Sequence, residues 1–410
     1  MKSTFQETLQ ETLQETPLKK SDFVLTPYMK SNDGLAIFQL LNTIVPYILL
    51  WALAYKAAAI SVWLLPPIMV LITLFSLRCF SLMHDCGHYS LFRSKRVNRI
   101  VGFMLGVLNA IPQYPWSRGH AYHHKTNGDW ERYRGPAAIL STEQFAKLSP
   151  AGQRNYELLR HPLMLLPGGF FYLAIKPRLA LIAGSYGFIK HLVNCLKTSP
   201  SMGLGQIIAT YKSKNWYTAG EFWDLLFNNI FVVGGWVILG HFLGYGFFFG
   251  TYSITLTLSA AIFICVFFVQ HNFEGSYAHR TEGWDYLRGA VEGSSYLDFP
   301  AFLRWFSADI SYHNIHHLSE RIPNYHLKAC YQRNQHLLTQ SKTLRIKDIP
   351  DCFKFILWDA PTNQLMAIAT FRQMAQTQVQ AQAQAQARTS IQPPVEPAVE
   401  SAVQNAGQSV

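Results

Sequence analysis

The chain has 410 residues, 49% hydrophobic and only 14% charged, a balance that excludes an ordinary soluble protein and fits one embedded in a bilayer. The formal charge of +11 does not point to nucleic acid, because the lysines and arginines flank apolar segments and no basic helix or aromatic single-strand platform occurs. Six cysteines without CxxC spacing exclude a disulfide framework or zinc ribbon as the organising device.

Residues 1–34 read as a polar tail carrying the near repeat Glu7-Thr-Leu-Gln10 and Glu11-Thr-Leu-Gln14. No basic n-region leads into an apolar core there, so the first membrane helix is expected to act as the insertion signal. A transmembrane helix needs roughly 20 apolar residues to cross a hydrocarbon core of about 30 Å. Residues 36–55 and 57–80 meet this on either side of Lys56 and read as a hairpin. The apolar segment 100–117 has Pro112 and Pro115 near its end, and 162–189 is split by Lys176-Pro-Arg178, so both are expected to be interfacial or re-entrant. A second hairpin follows at 225–243 and 250–270, joined through Gly244-Tyr-Gly246. Residues 346–374 read as a helical extension of the membrane domain at 35–345. Residues 375–410 are rich in Gln, Ala and Pro and are expected to be disordered. The expected fold is an all-α integral membrane protein with four transmembrane helices in two hairpins and a cytoplasmic helical cap.

Eight of the fifteen histidines fall in three short windows: His84-Asp-Cys-Gly-His88, His120-Ala-Tyr-His123-His124 and His313-Asn-Ile-His316-His317. With four spans, all three windows emerge on one side of the membrane. That side carries Arg93, Lys95, Arg96 and Lys125, which makes it cytoplasmic by the positive-inside rule. If 100–117 crossed instead, His84 and His120 would lie on opposite sides and no common site could form. Imidazoles three and four residues apart share a helix face, while an adjacent pair diverges by about a quarter turn, so one helical segment can serve two ions. Eight nitrogens exceed what one ion uses, and two metal ions are implied. His271, ending the fourth apolar helix, is a ninth candidate ligand. Asp85, Asp129, Glu274 and Asp309 are candidate carboxylates to accept from ligand rings and fix their tautomers. His241 lies near the far end of the third span, and His161, His191, His279, His326 and His336 stand alone.

These windows, read as HxxxH, HxxHH and HxxHH, resemble the membrane fatty acid desaturase superfamily. The wider context is similar to bacterial acyl-lipid desaturases of the delta-12 (omega-6) type: Val269-Gln-His271, Trp284-Asp-Tyr286, Gly293-Ser-Ser-Tyr296, and His313 through Leu318-Ser-Glu-Arg-Ile-Pro-Asn-Tyr325. The resemblance covers roughly residues 35–345. It implies two non-haem iron ions held by His84, His88, His120, His123, His124, His271, His313, His316 and His317, with O2 as co-substrate and membrane-lipid acyl chains as substrate. It also implies a bacterial inner-membrane location and a double bond introduced into an oleoyl chain. Animal relatives carry an Asn four residues before the position of His271, where Phe267 stands here, so the coordination of one ion departs from theirs. The third window begins with His313 rather than the Gln of front-end desaturases. No His-Pro-Gly-Gly motif of a fused cytochrome b5 occurs, so electrons are expected from a separate donor of the ferredoxin kind. Related enzymes keep other outcomes open: delta-9, delta-5 or omega-3 regioselectivity, or hydroxylase, ketolase or sphingolipid chemistry. A histidine-rich metal transporter would place its ligands near the bilayer midplane, not at helix ends on one side. A metal-storing protein would need neither substrate groove nor electron donor.

Overall fold

The computed structural model describes residues 18–133 and 139–391. The chain divides into Met1–Met366 and Ala367–Val410. In the second unit the described part is the helix Ile368–Ile391. Helix therefore continues past residue 374, where disorder was expected, because Ala and Gln are both good helix formers.

In the first unit, α1 spans Asp33–Ile60 and α2 spans Leu65–Gly87. Asn32 caps α1, accepting from the N–H groups of Gly34 and Leu35. The hairpin turn expected at Lys56 falls instead at Ser61, whose hydroxyl accepts from the Trp63 N–H, and Pro66-Pro67 open α2 where missing N–H groups cost nothing. Next come α3, Lys95–Leu108, and α4, Gln113–Lys125. The break at residues 109–112 turns the chain back, and 14 residues of α3 reach only about 21 Å, too short to cross. A strand β1, Leu140–Ser141, leads into short helices and then α5, Lys176–Thr198. The second hairpin is α6, Ala219–Leu243, and α7, Tyr245–Val269. Gly244 between them has φ +84°, a conformation glycine adopts at no steric cost.

Among the described residues, five helical stretches are long and apolar enough to cross a membrane: Asp33–Ile60, Val62–Gly87, Pro162–Thr198, Ala219–Leu243 and Tyr245–Val269. The third of these is the segment read from sequence as interfacial. Its Lys176-Pro-Arg178 interruption is accommodated by a π turn at Phe171–Ile175, which lets the helix run on past Pro177. Arg178 finds acceptors in Ala110 O, Leu173 O and Asn228 Oδ1. Outward faces carry large apolar side chains, including Phe38, Leu41 and Leu49 on α1 and Phe231, Ile238 and Phe242 on α6, as lipid contact requires.

α2 forms the centre, packed against α1, α3 and α7. Phe80 stacks on Phe263 of α7 with ring centroids 3.9 Å apart, and Ser76 links Asn109 and Ser259 by hydrogen bonds of 3.1 and 3.3 Å. Such small polar links add to van der Waals packing where apolar burial does not discriminate helix from lipid. Beyond α7 lie α8, Tyr286–Val291; β2, Tyr296–Asp298; α9, His313–Leu318; α10, Asn324–Asn334; β3, Thr343–Arg345; and β4, Phe355–Asp359. β2 pairs in parallel with β3, and β1 with β4, Leu140 opposite Leu357. The fold is mostly helical rather than purely so, and residues 346–366 hold a strand where helix was expected. These pairings join segments far apart in sequence and carry no local period.

Candidate metal centre

The nine histidines sit where helices end. His84 closes the last turn of α2, and His88 caps it; the chain then reverses, with Tyr89 at φ 57° and the Ser90 N–H donating to Asp85 O at 3.1 Å. α4 carries His120, His123 and His124 on its last two turns. His271 lies just past α7, and α9 carries His313, His316 and His317. Gln270 ties the α7 end to the approach of α9, its Nε2 donating to Ile310 O at 3.1 Å, while its own carbonyl accepts from the Ser295 N–H at 3.0 Å.

The rings fall into two groups. His84, His88, His120, His124 and His316 form one; His123, His271, His313 and His317 form the other; within each, one nitrogen per residue lies within 4.8 Å of the rest. The adjacent pairs 123/124 and 316/317 are each split between the groups, as the quarter-turn divergence requires. His124 and His317, one from each group, stack with centroids 4.2 Å apart, so the groups adjoin. Nε2 atoms face each other directly: His84 and His120 at 2.9 Å, His123 and His271 at 3.0 Å, His271 and His313 at 3.0 Å.

This donor set fits metal ions. Nitrogens about 2.1 Å from one ion and about 90–110° apart lie roughly 3.0–3.4 Å from each other, matching those spacings. Both nitrogens of buried His316 lack a hydrogen-bond partner in the protein, an arrangement costly unless something else satisfies them. Burial first, then neighbouring imidazoles, hold His120, His123, His124, His313, His316 and His317 well below the usual imidazole range, and burial lowers His271 to about 4. All seven are neutral at physiological pH, the form that ligates.

A family model described as fatty acid desaturase matches residues 61–347. The chain belongs to the fatty acid desaturase family. These proteins are oxidoreductases, and the share of a relative's own length that matches ranges from 50% to 87% among those compared. A fatty acid desaturase of Bacillus subtilis (strain 168) is 28% identical over 340 residues, 83% of this chain and 87% of the relative. The sn-1 oleoyl-lipid 12-desaturase of Anabaena variabilis is 24% identical over 285 residues, covering 69% and 72%. The sn-1 acyl-lipid omega-3 desaturase (ferredoxin) of Nostoc sp. (strain 36) is 24% identical over 286 residues, covering 68% and 70%.

Of the four carboxylates singled out in this desaturase, only Asp85 meets a histidine of the groups. Its Oδ1 accepts from His84 Nδ1 at 3.2 Å, and its Oδ2 accepts from the Asn324 N–H and Nδ2 at 2.8 and 2.9 Å. Asp129 is instead turned to Arg132 and Thr281, at 2.5 and 3.0 Å. Asp309 lies in the fields of Arg304, Lys328 and Arg78, and Glu274 is exposed. The acceptors for two other rings were not anticipated. Gly293 O accepts from His271 Nδ1 at 2.9 Å, and Glu320 Oε2 lies 3.3 Å from His88 Nδ1. A backbone carbonyl leaves no sequence signal, whereas Glu320 could have been found three residues after His317. Among the described residues, none of His161, His191, His241, His279, His326 and His336 joins either group.

Because the Glu320 side chain is 42% exposed, we expect Glu320→Gln to weaken metal binding by about tenfold, the low end for an outer partner of a ligand. Metal titration of the purified variant checks this; unchanged affinity would show that the contact does not orient His88.

A cavity of about 930 Å³ opens against the groups, with Phe80, Trp116, Phe263 and Phe267 beside His120, His123 and His271. Phe267 stands between the groups, its ring 5.6 Å from both His120 and His313 and 5.7 Å from His84.

Proposed function

We propose that this chain is an acyl-lipid desaturase that holds two iron ions and introduces a cis double bond at the delta-12 (omega-6) position of an oleoyl chain. The observation that carries this reading is the division of nine histidines into two adjoining groups beside a large aromatic cavity. His84, His88, His120, His124 and His316 would hold one iron; His123, His271, His313 and His317 would hold the other. Bound there, the irons supply O2 chemistry: one CH2–CH2 unit, O2, two delivered electrons and two protons yield CH=CH and two waters. That oxidising power is needed because an unactivated methylene offers no polarised bond to an acid or base.

The protein's part is positioning and dryness. Asp85 and Gly293 accept from Nδ1 of His84 and His271, so each Nε2 lone pair points into its group. Trp116 stacks on the His120 ring at 4.9 Å and fixes it, while Phe267 covers the groups with hydrocarbon where a polar side chain would admit water. The acyl chain lies along Phe80, Phe263 and Phe267, and its depth selects the bond.

Four crossings are the topology we favour. Both flanks of the 162–198 stretch are tied to the histidine side: Tyr156 donates to Ile356 O at 2.6 Å, next to the Phe355 carbonyl that accepts from Asn272, and Glu221 pairs with Arg118. A single crossing there would need a return between residues 199 and 218, where the only helix is Leu204–Thr210. The stretch is thus read as entering and leaving one face, within a catalytic region of residues 35–345. The basic residues on that face favour the cytoplasmic side of a bacterial inner membrane. An acidic ferredoxin is the proposed donor, a reading supported by the ferredoxin named for the Nostoc relative.

The delta-12 position is supported by the motif context and by the Anabaena relative. Expression in a host that makes only monounsaturated lipids, followed by mass spectrometry of double-bond positions, tests it. Linoleoyl chains are expected. Desaturation of saturated chains, an omega-3 bond in supplied linoleoyl lipid, or a hydroxylated chain would each replace the delta-12 assignment.

A further inference from the structure

Resting on the reading of the cavity as the acyl site, we propose that its mouth binds phosphate, so the acyl chain is presented on a phosphate-bearing carrier and not on a neutral glycolipid. The cavity has two chemically distinct ends. Its floor is buried: Phe80, His123, Phe263 and His271 are each less than a tenth exposed. Its mouth is exposed and carries Arg118, Lys125 and Lys176, together with the exposed Tyr122 and Tyr217. Among the described residues, no aspartate or glutamate lines this cavity.

Two of the three cations are held in place. Arg118 lies over the Tyr217 ring at 4.1 Å and pairs through Nε with Glu221, which is buried behind the lining. That contact engages the Nε edge of the guanidinium. Lys176 rests over Tyr172 at 4.8 Å, at the first position of α5. Lys125 also lies in the field of Glu320, so Arg118 and Lys176 are the principal anion contacts. A planar guanidinium and an ammonium beside tyrosine hydroxyls suit the tetrahedral oxygens of a phosphate. A sugar headgroup would leave Lys176, which makes no ion pair among the described residues, without a counter-charge at the point where the chain enters. Phosphatidylglycerol and an acyl thioester of coenzyme A share the required chemistry.

The test uses lipids with brominated acyl chains, which quench tryptophan on contact. Trp116 in the cavity wall is the reporter, isolated by subtracting the Trp116→Phe signal, and the full-length protein is studied in detergent. Brominated-acyl phosphatidylglycerol is expected to bind about tenfold or more tighter than the monogalactosyl lipid of the same chains, the fold-change of one charge-assisted hydrogen bond. Lys176→Ala should remove that preference while leaving galactolipid binding unchanged, and Lys176→Arg should restore it. Tighter binding of the brominated-acyl coenzyme A ester than of phosphatidylglycerol supports the same phosphate site with a soluble carrier. Equal affinity for charged and neutral lipids overturns the phosphate site and leaves the acyl reading standing. No quenching by any of the three overturns the acyl reading with it.

Discussion

His316→Ala abolishes desaturation, reducing product by at least about 100-fold, and lowers bound iron from two ions toward one while the protein still inserts and folds. Loss of an outer partner of a ligand already costs about 10–100-fold, so loss of a ligand itself lies at or beyond the upper end. The fold should tolerate the change because neither ring nitrogen of His316 has a hydrogen-bond partner in the protein, so truncation orphans no donor or acceptor. The ring touches His84 and His124 at centroid separations of 4.6 Å each, and both would survive with His88 and His120 as an incomplete set. The four-histidine group of His123, His271, His313 and His317 does not include His316 and should keep its ion. Iron analysis of purified protein, run beside product analysis, checks both halves. Wild-type iron with wild-type activity would remove His316 from the ligands.

Asp85→Ala should lower iron affinity by about 10–100-fold and also destabilise the protein, a combination that separates it from His316→Ala. Asp85 is buried and serves three donors: His84 Nδ1, the Asn324 N–H and Asn324 Nδ2. Asn324 in turn exchanges hydrogen bonds of 2.7 and 3.1 Å with Gln39 of α1, so this one carboxylate links α2, α10 and α1. Alanine leaves the Asn324 N–H buried without an acceptor, at a cost of about 1–3 kcal/mol. It also frees the His84 ring to rotate or to protonate on the other nitrogen. Asp85→Asn keeps an acceptor for Asn324 and should recover most of the stability, but less of the iron affinity, because the carboxylate's charge is gone. Thermal melting and iron titration of the two variants separate these effects; equal loss of both properties in Asn and Ala would contradict the division of labour.

The grouping of the histidine rings was legible because it is local. Spacings of three and four residues inside a single helix dictate which rings share a face, and the 123/124 and 316/317 pairs divide between the groups as one residue of helical rotation requires. The second hairpin was legible for a similar reason, since apolar length alone defines it. What was not legible depends on contacts across the chain. Asp129 and Asp309 look as promising as Asp85 in sequence, yet Asp129 turns to Arg132, three residues on, and to Thr281, a partner that only the folded chain brings near. Glu320 reaches His88 from the turn after α9, and the Gly293 carbonyl has no side chain to betray it. Apolar composition could not reveal that a π turn carries helix past Pro177, nor that Lys56 stays within α1 while Ser61 makes the turn. Phe267 was visible as a departure from the animal pattern. Its packing against His84, His120 and His313 shows what it does instead, which is to cover the adjoining groups with an aromatic ring.

Every role proposed for these nine imidazoles depends on their holding two irons. Metal analysis of the protein purified from iron-replete cells, expressed per polypeptide, measures this. Two irons per chain are expected. One iron per chain, or zinc in place of iron at the same stoichiometry, would contradict it.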